Sequence, residues 1–254
     1  MSLQRPFVSA VLTAGLALTL VACGGDSTPE SASSPSGTPS ATPTPTPTAS
    51  SSTPSVVPTT PPAPAPRTKA TLTKALLALG DLPAGFAVDP ETGGDDGTEL
   101  SATGSKCAKL VQLFNAEATP GSKLGVHRGF SGGQNGPFVG ETLEAMPSAA
   151  ATTAYLATVK AAVKACPKAK LTIEGAGSST VTVTEVAAPK AGTTPVAVRF
   201  AAASGPLEGL EVVFAFTGLG DVLLTMDFDR SDIEEPVVDA VAKASKVLGT
   251  STGT

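Results

Sequence analysis

The chain has no tryptophan, one tyrosine and one histidine among 254 residues, so aromatic residues amount to only 4% of the sequence. The core of any folded domain must therefore be built mainly from Val, Leu, Ala and Phe. The scarcity of histidine also limits metal chemistry. His127 alone cannot build a typical zinc site, and we interpret it as a surface or loop histidine.

One string matches a catalytic motif. Residues 129–133 read Gly-Phe-Ser-Gly-Gly, the GxSxG pattern of a nucleophile elbow around Ser131. Such an elbow requires a strand before the serine, a helix after it and a later histidine as base. Here a glycine-rich segment follows, and the only histidine precedes the serine. We therefore predict that the protein is not an enzyme and uses no cofactor or metal, with a hydrolase as a less favoured alternative.

Strong charge of either sign is missing as well. The 17 basic and 22 acidic residues are interspersed and give a net charge of −5. Binding to nucleic acid requires a dense basic stripe that neutralises phosphates, so nucleic acid is excluded as a partner. Lys160, Lys164, Lys168 and Lys170 are interpreted as a solvated surface at a helix end, with an anionic partner as the alternative.

Acidic residues gather near the C-terminus, where the cluster comprises Asp227, Asp229, Asp232, Glu234 and Glu235. Carboxylates bind Ca²⁺, but their spacing here is not that of an EF-hand loop. Acidic side chains at a helix N-terminus stabilise the helix dipole. We therefore predict a capping role, with a Ca²⁺ site as the alternative. Asp95 and Asp96 lie in a polar loop, and we do not expect them to bind a metal ion either.

Long hydrophobic runs are limited to the N-terminus. Residues 7–22 are apolar or small, follow Arg5, and fall short of the roughly 20 apolar residues of a membrane span. These are features of a secretory signal peptide. The run ends Leu20-Val21-Ala22-Cys23, the lipobox pattern in which the cysteine of a bacterial lipoprotein receives diacylglycerol. We predict a signal peptide over residues 1–22 and lipidation of Cys23. The alternative is an ordinary signal peptide followed by an unrelated cysteine.

A low-complexity segment follows the predicted anchor. Residues 24–66 are mostly Ser, Thr, Pro, Ala and Gly, which bury too little apolar surface to offset the entropy of ordering. We predict a disordered, lipid-anchored linker over residues 23–68. Pro-rich chain extends by about 3.1 Å per residue, which gives a reach on the order of 100 Å. The composition fits an O-glycosylated stalk, and an unmodified spacer is the alternative.

Two cysteines remain if Cys23 carries the lipid. Cys107 and Cys166 would be exported to an oxidising compartment, where an even pair normally forms a disulfide. The bond would close a loop of about 60 residues and stabilise the fold by about 4 kcal/mol. Two buried free thiols are the alternative.

Hydropathy patterns in residues 69–254 predict a mixed domain. Helices are expected over residues 71–79, 106–114, 148–165 and 232–248, the last with Asp232 and Glu235 as a capping pair. Strands are expected over residues 138–146, 181–183, 196–200, 210–216 and 222–228, the last two as a hairpin. Because no regular βαβ alternation appears, we predict an α+β fold, with an antiparallel sheet and helices packed mainly on one face.

Several segments resemble the PknH-like extracellular sensor domain, which occurs on actinobacterial Ser/Thr kinases and on stand-alone lipoproteins. The resemblance lies in Leu82-Pro83-Ala84-Gly85-Phe86, in Cys107 with Leu110, and in residues 141–148, which precede an alanine-rich helix that closes on Cys166. It covers residues 70–248 or thereabouts. It implies an α+β fold with a cleft for an unidentified ligand, and it carries no catalytic residues.

Together these features predict an actinobacterial lipoprotein at the extracytoplasmic face of the cell membrane. Its domain over residues 69–254 is expected to bind a ligand or act as a sensor, and the alternative is a structural or adaptor lipoprotein. The predicted partners are the membrane, through Cys23, and a small apolar ligand or an envelope protein; we expect a monomer. The ligand-binding residues are not identified, but residues 131–136 are expected to border the cleft.

Overall fold

The structure is a computed structural model that describes residues 66–89, 97–133, 136–229 and 232–250. The predicted signal peptide, Cys23, almost all of the predicted linker, Asp95 and Asp96 lie outside these ranges. No helix among the described residues is both long and apolar enough to cross a membrane.

The described residues form four α-helices and nine β-strands. The helices are α1 (Lys69–Ala75), α2 (Ala108–Phe114), α3 (Ala149–Ala165) and α4 (Glu234–Leu248). The strands are β1 (Ala87–Asp89), β2 (Thr98–Ser101), β3 (Leu124–Ser131), β4 (Phe138–Ala145), β5 (Lys168–Ile173), β6 (Gly177–Val186), β7 (Thr193–Ala202), β8 (Glu211–Leu219) and β9 (Val222–Phe228). All strand pairs are antiparallel, in the order β1-β3-β4-β9-β8-β7-β6-β5-β2.

The helices pack against both faces of this sheet. Successive side chains of a strand point to opposite faces. In β8, Val213 and Ala215 belong to the core under α1 and α4, whereas Phe214 and Phe216 belong to the core under α2 and α3. The predicted α+β architecture with an antiparallel sheet is confirmed. The helices, expected mainly on one face, instead form two pairs because β8 is apolar on both faces.

Helix α3 matches its prediction closely. Ser148 caps it, with Oγ accepting a hydrogen bond from the Ala151 N–H at 3.2 Å, and the helix ends at Ala165 before Cys166. Its buried residues include the predicted stripe Leu156, Val159 and Val163. A side chain that caps, an apolar stripe and the Cys-Pro terminator all agree over this segment.

The predicted disulfide between Cys107 and Cys166 is present, with Cα atoms 4.7 Å apart and a sequence separation of 59. Cys107 immediately precedes α2, and Cys166 immediately follows α3. The bond therefore joins the beginning of α2 to the end of α3, and it fixes the two helices that lie on the same face of the sheet.

The two helices on the opposite face differ from their predictions at their ends. Helix α1 is capped by Thr68 and ends before Leu76, which has an extended backbone, so Leu79 lies outside the helix and is 45% exposed. Helix α4 begins at Glu234 after Ile233, and no side chain caps it. The predicted capping pair of Asp232 with Glu235 is therefore wrong.

Candidate ligand-binding cleft

A cleft opens where α3 stops covering the sheet. Helix α3 packs over β6, β7 and β8, and it reaches β9 only marginally. Thr142 of β4, Thr225 of β9 and Phe216 of β8 lie side by side across neighbouring strands and form the floor of the cleft. Its volume is about 190 Å³. Pockets for drug-sized ligands have about 300 Å³ or more, so this cleft fits a small ligand or one end of a larger one.

One end of the cleft is aromatic. Phe114, the last residue of α2, meets Phe214 and Phe216 of β8 edge-to-face, with ring centroids 5.1 and 6.1 Å apart. A further contact at 4.9 Å joins Phe114 to Phe200 of β7. Edge-to-face pairs at these distances favour one arrangement of the rings. The wall is therefore held in place by packing before any ligand arrives.

The other end of the cleft is polar, and its centre is the buried carboxylate of Glu144. The Thr119 N–H donates to Oε1 at 2.8 Å, and the Thr119 hydroxyl donates to Oε2. Burial and the nearby Glu144 charge raise the pKa of the Tyr155 phenol, although the Thr119 side chain acts in the other direction. Glu144 therefore ties the segment between α2 and β3 to the sheet and faces into the cleft.

His127 lies next to the cleft floor. It is in strand β3, opposite Thr142, and its Nδ1 is 2.9 Å from the Thr142 Oγ1. The ring is half-buried, and desolvation lowers its pKa. His127 was interpreted as a surface or loop histidine; the loop alternative is wrong, because the residue lies in a strand and is partly exposed there. Among the described residues, no group of three or more His, Cys, Asp or Glu side chains is placed to hold a metal ion.

Ser131 has no base within reach along its strand. It ends β3, and its hydroxyl bonds to the backbone of Gly133 in the following turn. His127 is four residues away on the same strand, which corresponds to about 13 Å. The chain continues into strand β4 and not into a helix. The described residues of the segment 131–136 do not line the cleft, contrary to expectation.

The predicted acidic cluster is divided among three locations. Asp227 lies in β9 beside Gly140, Asp229 accepts a hydrogen bond from the Phe138 N–H at 3.0 Å, and Glu234 and Glu235 lie in the first turn of α4.

The predicted lysine surface is also divided, because Lys160 and Lys164 are on α3 while Lys168 and Lys170 are on β5. Lys160 pairs with Glu185 at 2.7 Å.

A second buried carboxyl group lies on the opposite face of β4. Glu141 is fully buried between β4 and the segment that follows α1, where Oε2 accepts a hydrogen bond from the Leu77 N–H at 2.6 Å. Arg128, its cross-strand neighbour, donates to the Leu77 carbonyl. Burial raises the pKa of Glu141 to about 7, although the Leu77 N–H and the charges of Lys243 and Arg128 act in the other direction.

An open surface groove lies between α2 and α3. It is lined by alanines and threonine of α3 together with Lys106 and Lys109, and it has a volume of about 400 Å³. No aromatic or acidic side chain is among the described residues that line it. It is therefore a shallow, mainly apolar surface with a basic edge.

The architecture defines an α+β domain with one antiparallel sheet, helix pairs on both faces and a cleft beside α3. The same fold is found in the solved structure of the extracellular domain of PknH from Mycobacterium tuberculosis. The match has a TM-score of 0.51 at 17% identity and covers 73% of this chain and 98% of that domain. No protein-family model matches the chain, and no curated protein does. At this identity the likeness establishes the fold alone, that of the PknH extracellular domain.

Proposed function

We propose that this protein is a lipid-anchored, non-enzymatic ligand-binding or sensor protein of the cell envelope. The observation that carries the binding function is the cleft, which combines an aromatic wall with a hydroxyl-lined floor and a buried carboxylate. The likeness in fold to an extracellular domain supports an extracytoplasmic location. The lipobox ending at Cys23 supports the anchor.

The end of the predicted linker is bonded to the domain through Arg67. Arg67 donates two hydrogen bonds to Asp221 Oδ1, at 2.9 and 2.7 Å, and a third to the Leu248 carbonyl at 3.0 Å. Asp221 lies in the turn between β8 and β9, and Leu248 ends α4. The last residues of the predicted linker are therefore held at the turn between β8 and β9 and at the C-terminal end of α4.

Native mass spectrometry of the full chain, purified from its own envelope, tests the binding function. A ligand-binding protein is expected to carry a small-molecule mass in repeated preparations. Consistent absence of such a mass at full sensitivity would contradict the proposal. Anchoring is tested in a separate detergent phase-separation experiment. The variant Cys23→Ser is expected to move from the detergent phase to the aqueous phase.

An adaptor that binds another envelope protein is the second candidate, and the groove between α2 and α3 favours it. The groove is open, mainly apolar and larger than the cleft. Crosslinking from Lys106 or Lys109 in intact cells is expected to capture one defined protein if the adaptor function is correct. A protein captured there without any small-molecule mass in the native measurement would favour the adaptor over the sensor.

A further inference from the structure

The charges around the cleft have one sign. Glu144 is 6% exposed, Glu117 is exposed at the mouth, and the described residues that line the cleft include no Lys, Arg or His. The ion pairs formed in the described part of the chain involve other carboxylates, those of Asp81, Glu185, Glu211 and Asp221. A buried carboxylate is costly unless it is paired or hydrogen-bonded. The cleft therefore holds negative charge that no cation of its lining compensates.

Glu144 retains the capacity to bind a cation. Its two hydrogen bonds both come from Thr119, one to each oxygen. A carboxylate offers about four lone-pair sites, so about two remain. An ammonium group has three N–H donors and no acceptor, and the hydroxyl oxygens of Thr142, Thr225 and Tyr155 line the same cleft. Such a group would be neutralised by Glu144 and could donate to a neighbouring hydroxyl.

The aromatic end restricts the rest of the ligand. The rings of Phe114, Phe214 and Phe216 offer apolar area for methylene groups, and an aromatic face also attracts a cation. The cleft has a volume of about 190 Å³, below the roughly 300 Å³ of pockets for drug-sized ligands. The space fits an ammonium group with a short apolar stem.

We propose that the cleft binds a primary ammonium group on a short apolar stem, with Glu144 as the residue that binds the charge. This inference rests on the proposed ligand-binding function and specifies the chemistry of the ligand. Thr119 orients the Glu144 carboxylate, and the three phenylalanines pack against the stem. A purely apolar ligand would cover the Glu144 carboxylate without supplying a counter-charge.

Three small probes of similar size test the proposal: n-butylammonium, n-butanol and butyrate. Each is titrated at neutral pH into the full chain carrying Cys23→Ser, and the amide resonances of Thr119, Thr142 and Thr225 are followed by NMR. The ammonium probe is expected to bind at least tenfold more tightly than the alcohol, and butyrate more weakly than either. Added salt is expected to weaken binding of the ammonium probe only, because charge attraction is screened.

The variant Glu144→Gln keeps the size of the side chain and one carbonyl acceptor. It is expected to reduce the preference for ammonium over alcohol to less than twofold while leaving binding of the alcohol unchanged. Glu141→Gln is the matched control, because Glu141 is also buried on β4 but faces the opposite side of the sheet. It is expected to keep the full preference. If Glu144→Gln does not fold, the relative affinities of the three probes for the unmutated cleft still test the inference.

Equal binding of the alcohol and the ammonium probe, a preference for butyrate, or no response of the cleft resonances to any probe would each overturn the inference. A preference that survives in Glu144→Gln would do so too. The proposed function fails on a different result, the consistent absence of a co-purifying mass. A neutral or anionic co-purifying molecule would leave the binding function standing and reject the ammonium class.

Discussion

Replacing Glu141 by glutamine should stabilise the protein at pH 8 and change little at pH 4. The carboxyl group is fully buried, Oε2 accepts one backbone hydrogen bond from Leu77, and Oε1 has no hydrogen-bond partner among the described residues. Burial raises its pKa from 4.5 to about 7. The charged groups that face it are Lys243 and Arg128, which lower the pKa, and Asp81, which raises it.

The direction and size of the effect follow from proton linkage. A carboxyl whose pKa is higher in the folded than in the unfolded state holds its proton more tightly when folded, so stability is highest below pH 4.5. This contribution of Glu141 to stability decreases as the pH rises from 4.5 to about 7, and it does not change further above that pH. At about 1.4 kcal/mol per pH unit, this gap corresponds to about 3 kcal/mol. Glutamine resembles the protonated acid and removes the loss.

Urea unfolding followed by far-ultraviolet circular dichroism, at steps from pH 4 to pH 8, measures the difference between the variant and the unmutated chain. We expect a difference near zero at pH 4 that rises to about 3 kcal/mol at pH 8. Glu185→Gln is the control, because Glu185 is in an exposed ion pair with Lys160 and its loss should cost less than about 1 kcal/mol throughout. A difference for Glu141→Gln that does not vary with pH would refute the reasoning.

Three further substitutions test the architecture by chemical denaturation. Replacing Cys107 and Cys166 by alanine should lower the free energy of unfolding by about 4 kcal/mol, because the disulfide closes a loop with a separation of 59 residues. Arg67→Met should lower it by about 1–2 kcal/mol, because it removes the paired bonds to Asp221 and one to a helix-end carbonyl. Gly140→Ala should lower it by about 1–3 kcal/mol, because a Cβ would lie 2.2 Å from a carboxylate oxygen on β9.

The glycine and arginine substitutions each have a control in the same chain. Gly80→Ala adds a Cβ with no other atom within 4 Å and should change stability by less than about 0.5 kcal/mol. Arg199→Met removes only a half-exposed ion pair to Glu211 and should cost less than about 1 kcal/mol. If a control costs as much as its test substitution, the contacts assigned to that test position do not stabilise the fold as described.

The sequence predicted the elements whose signals are local. Helix α3 has its cap, its apolar stripe and its terminator within residues 148–167. Strand β3 was not predicted, because its eight residues include two glycines, a histidine and an arginine and show no clear alternation. Strand β3 forms because it pairs with β4, and no pattern within its own eight residues indicates that pairing.

The hairpin of β8 and β9 shows how register limits such predictions. Alternation within each strand places Phe214 on the same face as Phe216, and Met226 on the same face as Phe228. In the structure Ala215 lies opposite Met226, so the two phenylalanines of β8 face the other side. Both strands are apolar in almost every position. Alternation within one strand therefore does not show which of its two sets of side chains lies on the same face as a given set of the neighbouring strand.

The cleft was visible only in part. Thr142 and Glu144 stand out as the polar row of β4, but the same pattern gave no sign that Glu144 is buried. Thr119 and Phe114 reach the cleft through the packing of α2 and the segment after it, which no local pattern encodes. Glu141 was missed because it lies in the apolar row of the strand, where a buried carboxyl is unexpected.

The central claim is that the cleft beside α3 is the ligand-binding site. Native mass spectrometry of two variants, purified from the envelope in parallel with the unmutated chain, tests it most directly. Thr225→Phe fills the cleft floor, and Thr158→Phe adds the same ring to the groove between α2 and α3. We predict that Thr225→Phe loses the co-purifying mass while Thr158→Phe retains it. Retention by a folded Thr225→Phe, or loss only in Thr158→Phe, would contradict the account.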